Sequence, residues 1–97
     1  MRDMSDDLAA DEAFTARTIA TFIRDGRLTT IPAREKRRRV IYRYLREVVF
    51  AEDRPYPEAE VNQRLALFHR DVATIRRGMV DARLVTRDAG WYRRAGD

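Results

Sequence analysis

The sequence contains no cysteine, one histidine (His69) and one lysine (Lys36). The lack of cysteine excludes disulfides, thiolate nucleophiles and cysteine metal sites, and a single histidine excludes metal sites built on paired histidines. No apolar run approaches the roughly 20 residues that span a bilayer. The N-terminus is acidic and lacks the apolar segment of a secretory signal. We therefore expect a soluble cytoplasmic protein with no membrane contact, cofactor or small-molecule ligand.

Negative charge is concentrated at the start of a basic chain. The net charge is +4, but residues 1–13 carry one arginine and five carboxylates, or −4, so residues 14–97 carry +8. Arginine's planar fork suits phosphates and guanine edges, which points to a polyanion such as DNA. A GC-rich coding sequence also favours arginine over lysine, and this would explain the excess of arginine without a polyanion partner. The position of the arginines, and not their number, must decide between these two explanations.

The length of 97 residues and the apolar share of 44% predict one domain with a packed core. We divide the chain into an acidic, amphipathic helix within residues 1–27, a possible association element, and a main unit of residues 28–97. The first helix ends at Asp25-Gly26. Phe14 points away from its apolar face. That face is formed by Leu8, Thr15, Ile19, Phe22 and Ile23.

The main unit begins with a short extended piece at residues 28–32 and a strongly amphipathic helix at residues 33–50. An apolar seam on this helix is predicted to face the core, and a basic stripe lies opposite. The seam consists of Ile41, Tyr44, Leu45 and Val48, widened by Val40 and Val49. The stripe consists of Lys36, Arg39, Arg43 and Arg46.

The second half of the main unit reads as two short helices and a hairpin. One helix starts at Pro57, Asp71 caps the next, and residues 83–94 alternate around an Asp88-Ala89-Gly90 turn. Residues 51–56 are predicted to form a loop. This order predicts a mainly α protein with a small β-hairpin (α+β), specifically a winged helix-turn-helix with an extra N-terminal helix.

The strings "DGRL", "EVN", "FH", "IRR" and "WYRR" between residues 22 and 94 resemble the bacterial family known as domain of unknown function 2087. The resemblance implies a winged-helix-like fold and a setting among transcriptional regulators. This chain departs from the family pattern at Pro57, where a serine-like cap is usual, and at Arg83, where glycine is usual. A glycine would serve as the left-handed C-cap, so Arg83 either adopts that conformation at some cost or ends the helix differently.

The helix after Asp71 is the candidate recognition helix. Its periodicity turns Val72, Ile75 and Met79 inward and Arg77 outward, so Arg77 can fork onto guanine O6 and N7. Arg76, on the flank, is expected to contact a phosphate or to pair with a carboxylate such as Glu60. The full set of candidate DNA-binding residues is Ala73, Thr74, Arg76, Arg77, Arg87, Arg93, Arg94, Lys36, Arg39 and Arg43.

Four further residues qualify this prediction. Gly78, in mid-helix, indicates close approach either to DNA or to a neighbouring helix. Asp81, on the outer face, limits insertion of the C-terminal half into a groove. Trp91 and Tyr92 lie on opposite faces of the last strand, and we expect Trp91 to close the core.

No nucleophile–base arrangement is visible, so an enzyme is not expected. Glu58 and Glu60 are two apart on a helix and do not face each other. His69-Arg70-Asp71 matches a kinase triplet, but Arg76 stands where the asparagine is required. Two hypotheses remain: a small transcriptional regulator that binds double-stranded DNA, or a protein-interaction module on the same fold. The N-terminal helix is a candidate homodimer contact under either hypothesis.

Overall fold

A computed structural model describes the backbone of residues 4–96 and the side chains of residues 8–96. It is mainly helical with two small antiparallel sheets, which confirms the predicted α+β class. The helices are α1 (Met4–Phe22), α2 (Glu35–Val49), α3 (Glu58–Ala66) and α4 (Val72–Asp81). The strands are β1 (Ile23–Arg24), β2 (Arg27–Leu28), β3 (Tyr56–Pro57), β4 (Val85–Asp88) and β5 (Trp91–Arg94). Among the described residues, no helix is long and apolar enough to cross a membrane.

The first helix ends in a hairpin that the sequence did not lead us to expect. Ile23 pairs with Leu28 in the β1–β2 sheet, and Asp25 and Gly26 form the turn with φ of 52° and 74°. Two consecutive positive φ values are the geometry of the hairpin turns that Asp-Gly favours. The same dipeptide that we interpreted as a helix stop therefore reverses the chain and directs it towards α2.

Helix α1 packs along α2 with a different face from the one predicted. Thr18 is buried, whereas Leu8 is 58% exposed and Thr15 is exposed, so the predicted face is wrong at these two positions. Phe14 is half-buried, and the ammonium of Lys36 lies 4.4 Å from the centre of its ring. This cation–π contact accounts for an aromatic side chain that the predicted face left without a partner.

The buried face of α2 is rotated from the predicted seam. Ile41 and Leu45 are fully buried as predicted, but Val48 is 43% exposed and Tyr42 is buried in its place. The prediction for Val48 was wrong because the buried arc is shifted towards Tyr42 and Arg46, which leaves Val48 at its edge. The buried residues of α2 are Ile41, Tyr42, Leu45, Arg46 and Val49.

The C-terminal sheet has the order β3-β5-β4, and the β4–β5 hairpin is hereafter called the wing. Tyr56 pairs with Tyr92, so residues expected to form a loop contribute a short strand. Tyr92 is buried and Trp91 is 52% exposed, which corrects the expectation that Trp91 closes the core. Neighbouring residues of a strand point to opposite faces, so burial of Tyr92 turns Trp91 outward.

Helix α4 ends in a Schellman motif at Arg83. The backbone N–H of Leu84 donates to Met79 O at 3.0 Å, and that of Arg83 donates to Val80 O at 2.9 Å. Leu84 and Met79 are both fully buried, which supplies the apolar contact of this motif. Arg83 has φ of 62°. Arginine therefore occupies the left-handed C-cap conformation, the first of the two alternatives considered, and this cap sets the direction of the wing.

Candidate nucleic-acid interface

The N-terminus of α4 is fixed by the predicted cap. Asp71 Oδ1 accepts from the backbone N–H of Thr74 at 3.2 Å, and Asp71 Oδ2 accepts from the Thr74 hydroxyl at 2.7 Å. These two bonds hold the pKa of Asp71 below its usual range. Thr74 is nevertheless exposed as a residue, and its hydroxyl oxygen retains lone pairs that can accept a further hydrogen bond.

The predicted phase of α4 is confirmed. Ile75 and Met79 are fully buried, whereas Thr74 and Arg77 are exposed and Ala73 is half-buried. None of the hydrogen bonds or ion pairs found among the described residues involves the guanidinium of Arg77. Its five donors are therefore available to an external acceptor.

Gly78 lets α4 cross α2 at close range. A Cβ atom at this position would lie 2.6 Å from both Cε2 and Cζ of Tyr42, which is buried. Burial raises the pKa of the Tyr42 hydroxyl. Of the two explanations for Gly78, the structure supports helix–helix packing.

Arg76 occupies a different environment from Arg77. Its side chain is 15% exposed, and Nη1 donates to Asn62 Oδ1. The nearest carboxylate is Glu58, with Oε1 at 3.7 Å from Nε. Arg76 therefore has a carboxylate partner, as one of the two expectations held, but the partner is Glu58. Glu60, the example given, is bound by Arg54 and Arg64 at 2.7 and 2.9 Å.

The wing separates its arginines. Arg87 pairs with Tyr92 and Arg93 pairs with Thr86, so their side chains lie on opposite faces of the hairpin. Arg87 is on the face towards α4, with its guanidinium 5.9 Å from the ring centre of Tyr92. Arg93 is on the outer face, where Nε donates to Asp53 Oδ1 at 3.1 Å.

Arg94 ties the end of the wing to α2. Nη2 donates to both carboxylate oxygens of Glu47 at 2.8 Å, and Nη1 donates to Phe50 O at 3.0 Å. Arg94 is the largest cause of the lowered pKa of Glu47. The side chain is 28% exposed, and its donors are engaged within the protein.

The basic stripe of α2 does not join the face of α4. Lys36 lies over Phe14, and Arg43 lines a groove between α1 and α2. Arg39 Nη1 donates to Ala82 O at 2.9 Å and thereby helps to cap α4. The assignment of Arg46 to this exposed stripe was wrong. Its side chain is buried, and Nη1 donates to Ala95 O at 2.6 Å.

Arg38, which was not among the candidates, lies beside the exposed face of α4. It shares a groove with Tyr42, Thr74 and Arg77 on the α2 side of α4. Nη1 donates to Ala33 O at 2.7 Å, which keeps the side chain near the start of α2. Arg38 lies four residues before Tyr42 and therefore on the same side of α2. This spacing would have identified Arg38 as a neighbour of α4 only if Tyr42 had been known to face α4.

The exposed face of α4 is therefore bordered by arginine on both sides. Arg38 lies on the α2 side, and Arg87 lies on the wing side in a groove that also contains Arg77. Asp81 lines both grooves at the C-terminal end of α4. Positive charge thus surrounds the middle of the helix, and Asp81 lies at its C-terminal end.

No group of three or more histidine, cysteine, aspartate or glutamate side chains within residues 8–96 is arranged to hold a metal ion. Residues 27–94 match the model of the family described as "uncharacterized protein conserved in bacteria (DUF2087)". The chain belongs to this family, as the resemblance indicated. No curated protein and no solved structure matches it.

Proposed function

We propose that this member of the DUF2087 family binds double-stranded DNA through α4 and the wing, as a small transcriptional regulator. The observation that carries the proposal is the arrangement of exposed groups around α4. Thr74 and Arg77 are exposed near the middle of α4, and Arg38 and Arg87 border that face. A helix presented beside a β-hairpin can enter a major groove while the hairpin reaches the adjacent backbone.

The exposed groups have distinct roles in this mechanism. Arg77 is placed to fork onto O6 and N7 of a guanine, and the methyl group of Thr74 can contact a thymine methyl. Arg38 and Arg87 contact phosphates on either side and fix the register of the helix. Asp81 repels the backbone, so the N-terminal half of α4 enters the groove first.

The remaining candidates act from a distance or hold the fold together. Lys36 and Arg43 lie on the α1 side of α2 and add long-range attraction to the duplex. Arg39 and Arg94 bind backbone carbonyls of the protein itself. Arg93 lies on the outer face of the wing, opposite Arg87. We therefore assign direct DNA contact to the smaller set around Arg77.

The test is equilibrium binding of the full chain to a labelled mixed-sequence duplex at several salt concentrations. Neutralisation of about two phosphates, by Arg38 and Arg87, predicts that log K falls against log salt with a slope of about −1.8. Absence of binding at low salt would contradict the proposal. Selection of duplexes from a random pool then shows whether Arg77 and Thr74 read bases, because backbone contacts alone enrich no motif.

Self-association through α1 is a second candidate function, favoured by one observation. Residues 8–13 of α1 are all exposed, and Leu8 presents 58% of its surface to solvent. Symmetric DNA readers use dimers to bind two half-sites. Light scattering of the full chain tests this candidate, and a monomer at high protein concentration would exclude it.

A further inference from the structure

A groove of about 330 Å³ lies between α4 and the wing. Its walls carry three guanidinium groups and two carboxylates, so positive charge is in excess. Arg76 and Arg77 come from α4, and Arg87 comes from the wing. Because the groove is directly beside Arg77, a duplex that contacts Arg77 brings its sugar–phosphate backbone to this opening.

Arg76 has an unsatisfied donor at this groove. Its Nε is buried and has no hydrogen-bond acceptor among the described residues. The bond from Nη1 to Asn62 Oδ1 holds the side chain of Arg76 at the wall of the groove. A buried donor of a charged group without an acceptor is unfavourable, and an acceptor supplied by a ligand would satisfy it.

Glu58 is the carboxylate that lies close to both Arg76 and Arg87. Its Oε1 lies 3.7 Å from Arg76 Nε and 3.9 Å from Arg87 Nε, too far for a hydrogen bond to either. The same oxygen accepts a bond of 2.6 Å from the hydroxyl of Tyr92. Two guanidinium groups therefore converge on one carboxylate that is already bonded to a third residue.

We propose that this groove is the binding site of one backbone phosphate of the bound duplex, and that Arg76 and Arg87 hold this phosphate. In the free protein, the carboxylate of Glu58 balances the positive charge of these two arginines. A bound phosphate must come close to this carboxylate. Phosphate oxygens can supply the acceptor that Arg76 Nε lacks and can also accept from the exposed guanidinium of Arg87, in both cases as charge-assisted bonds. The carboxylate repels the phosphate and weakens the contact. This inference rests on the proposed function, because it names a contact within the same DNA complex.

Glu58→Gln tests the inference without loss of the internal bond, since a glutamine oxygen still accepts from Tyr92. Removal of the negative charge is expected to strengthen duplex binding about three- to tenfold at low salt. Glu12→Gln is the matched control, because it makes the same change in net charge at an exposed position on α1. Its effect is expected to stay within about twofold.

A second measurement follows Arg76 directly. In the wild-type chain, the NMR signal of the Arg76 Nε–H group is expected to shift when the mixed-sequence duplex is added. If the duplex binds but this signal does not shift, the inferred phosphate-binding site is wrong and the proposed function stands. The same conclusion follows if Glu58→Gln binds the duplex no more tightly than Glu12→Gln does. If no variant binds duplex at low salt, both proposals are overturned.

Discussion

Gly78 of α4 lies against the buried ring of Tyr42 of α2, so that a Cβ atom at Gly78 would come within 2.6 Å of the ring carbons Cε2 and Cζ. This contact sets how closely α4 approaches α2. It therefore also determines how far the exposed face of α4 projects between Arg38 and the wing.

Gly78→Ala is expected to lower the free energy of unfolding by about 1–2 kcal/mol. Alanine gains about 1 kcal/mol of helix propensity, but overpacking against a buried ring costs more. Urea denaturation measures the difference. In a Tyr42→Leu background the same change is expected to be neutral or stabilising. A gain of about 1 kcal/mol in the wild-type background would show that the Tyr42 contact does not constrain the helix.

Arg83→Gly is expected to raise the free energy of unfolding by about 0.5–1 kcal/mol. Arg83 has φ of 62°, which is unfavourable for a residue with a Cβ atom and free of that cost for glycine. Ala82→Gly is the matched control, because Ala82 has φ of −77° and gains nothing from glycine. The control is expected to lose stability. Equal losses in both variants would mean that the left-handed cap carries no strain.

Arg77→Ala is expected to weaken binding to a selected duplex about 10- to 100-fold, the effect of losing one bidentate base contact. Arg24→Ala is the control, because Arg24 is exposed on β1 beside the first helix. It should change the affinity by a small factor that disappears at higher salt. Equal losses in the two variants would indicate that Arg77 contributes charge alone.

Glu58 is expected to contribute to stability only above the acidic range. The hydrogen bond from Tyr92 is the largest cause of its lowered pKa, and Arg76 and Arg87 act in the same direction. The folded protein therefore favours the charged form, and this stabilisation is lost as pH falls below about 4.5. The stability difference between wild type and Glu58→Gln, followed by urea denaturation, should shrink from pH 6 to pH 3. A constant difference would contradict the linkage.

Local signals predicted the helices and the exposed face of α4. The Asp71 cap acts over three residues, and the positions of Ile75 and Arg77 follow from helical periodicity alone. The family model confirmed the resemblance over residues 27–94. The fold class and the outward position of Arg77 therefore follow from short-range patterns in the sequence.

The features that the sequence did not reveal depend on contacts between residues that are far apart in the sequence. Arg46 is buried because the Ala95 carbonyl, 49 residues away, accepts from it. Tyr92 faces the core and Trp91 faces solvent, a choice that depends on the pairing of β5 with β3. Strand β3 contains two residues, too few for a periodic signal. Such pairings are set by the tertiary fold and not by the local pattern.

Mapping the duplex onto the chain by backbone amide NMR tests the central claim most directly. On addition of mixed-sequence duplex at low salt, we expect the largest shifts at Thr74, Arg77 and Arg87. Smaller changes are expected at Trp91 and Arg93 on the outer face of the wing. Shifts concentrated on α1 or around Trp91, or no shifts at all, would contradict the proposal that α4 and the inner face of the wing bind DNA.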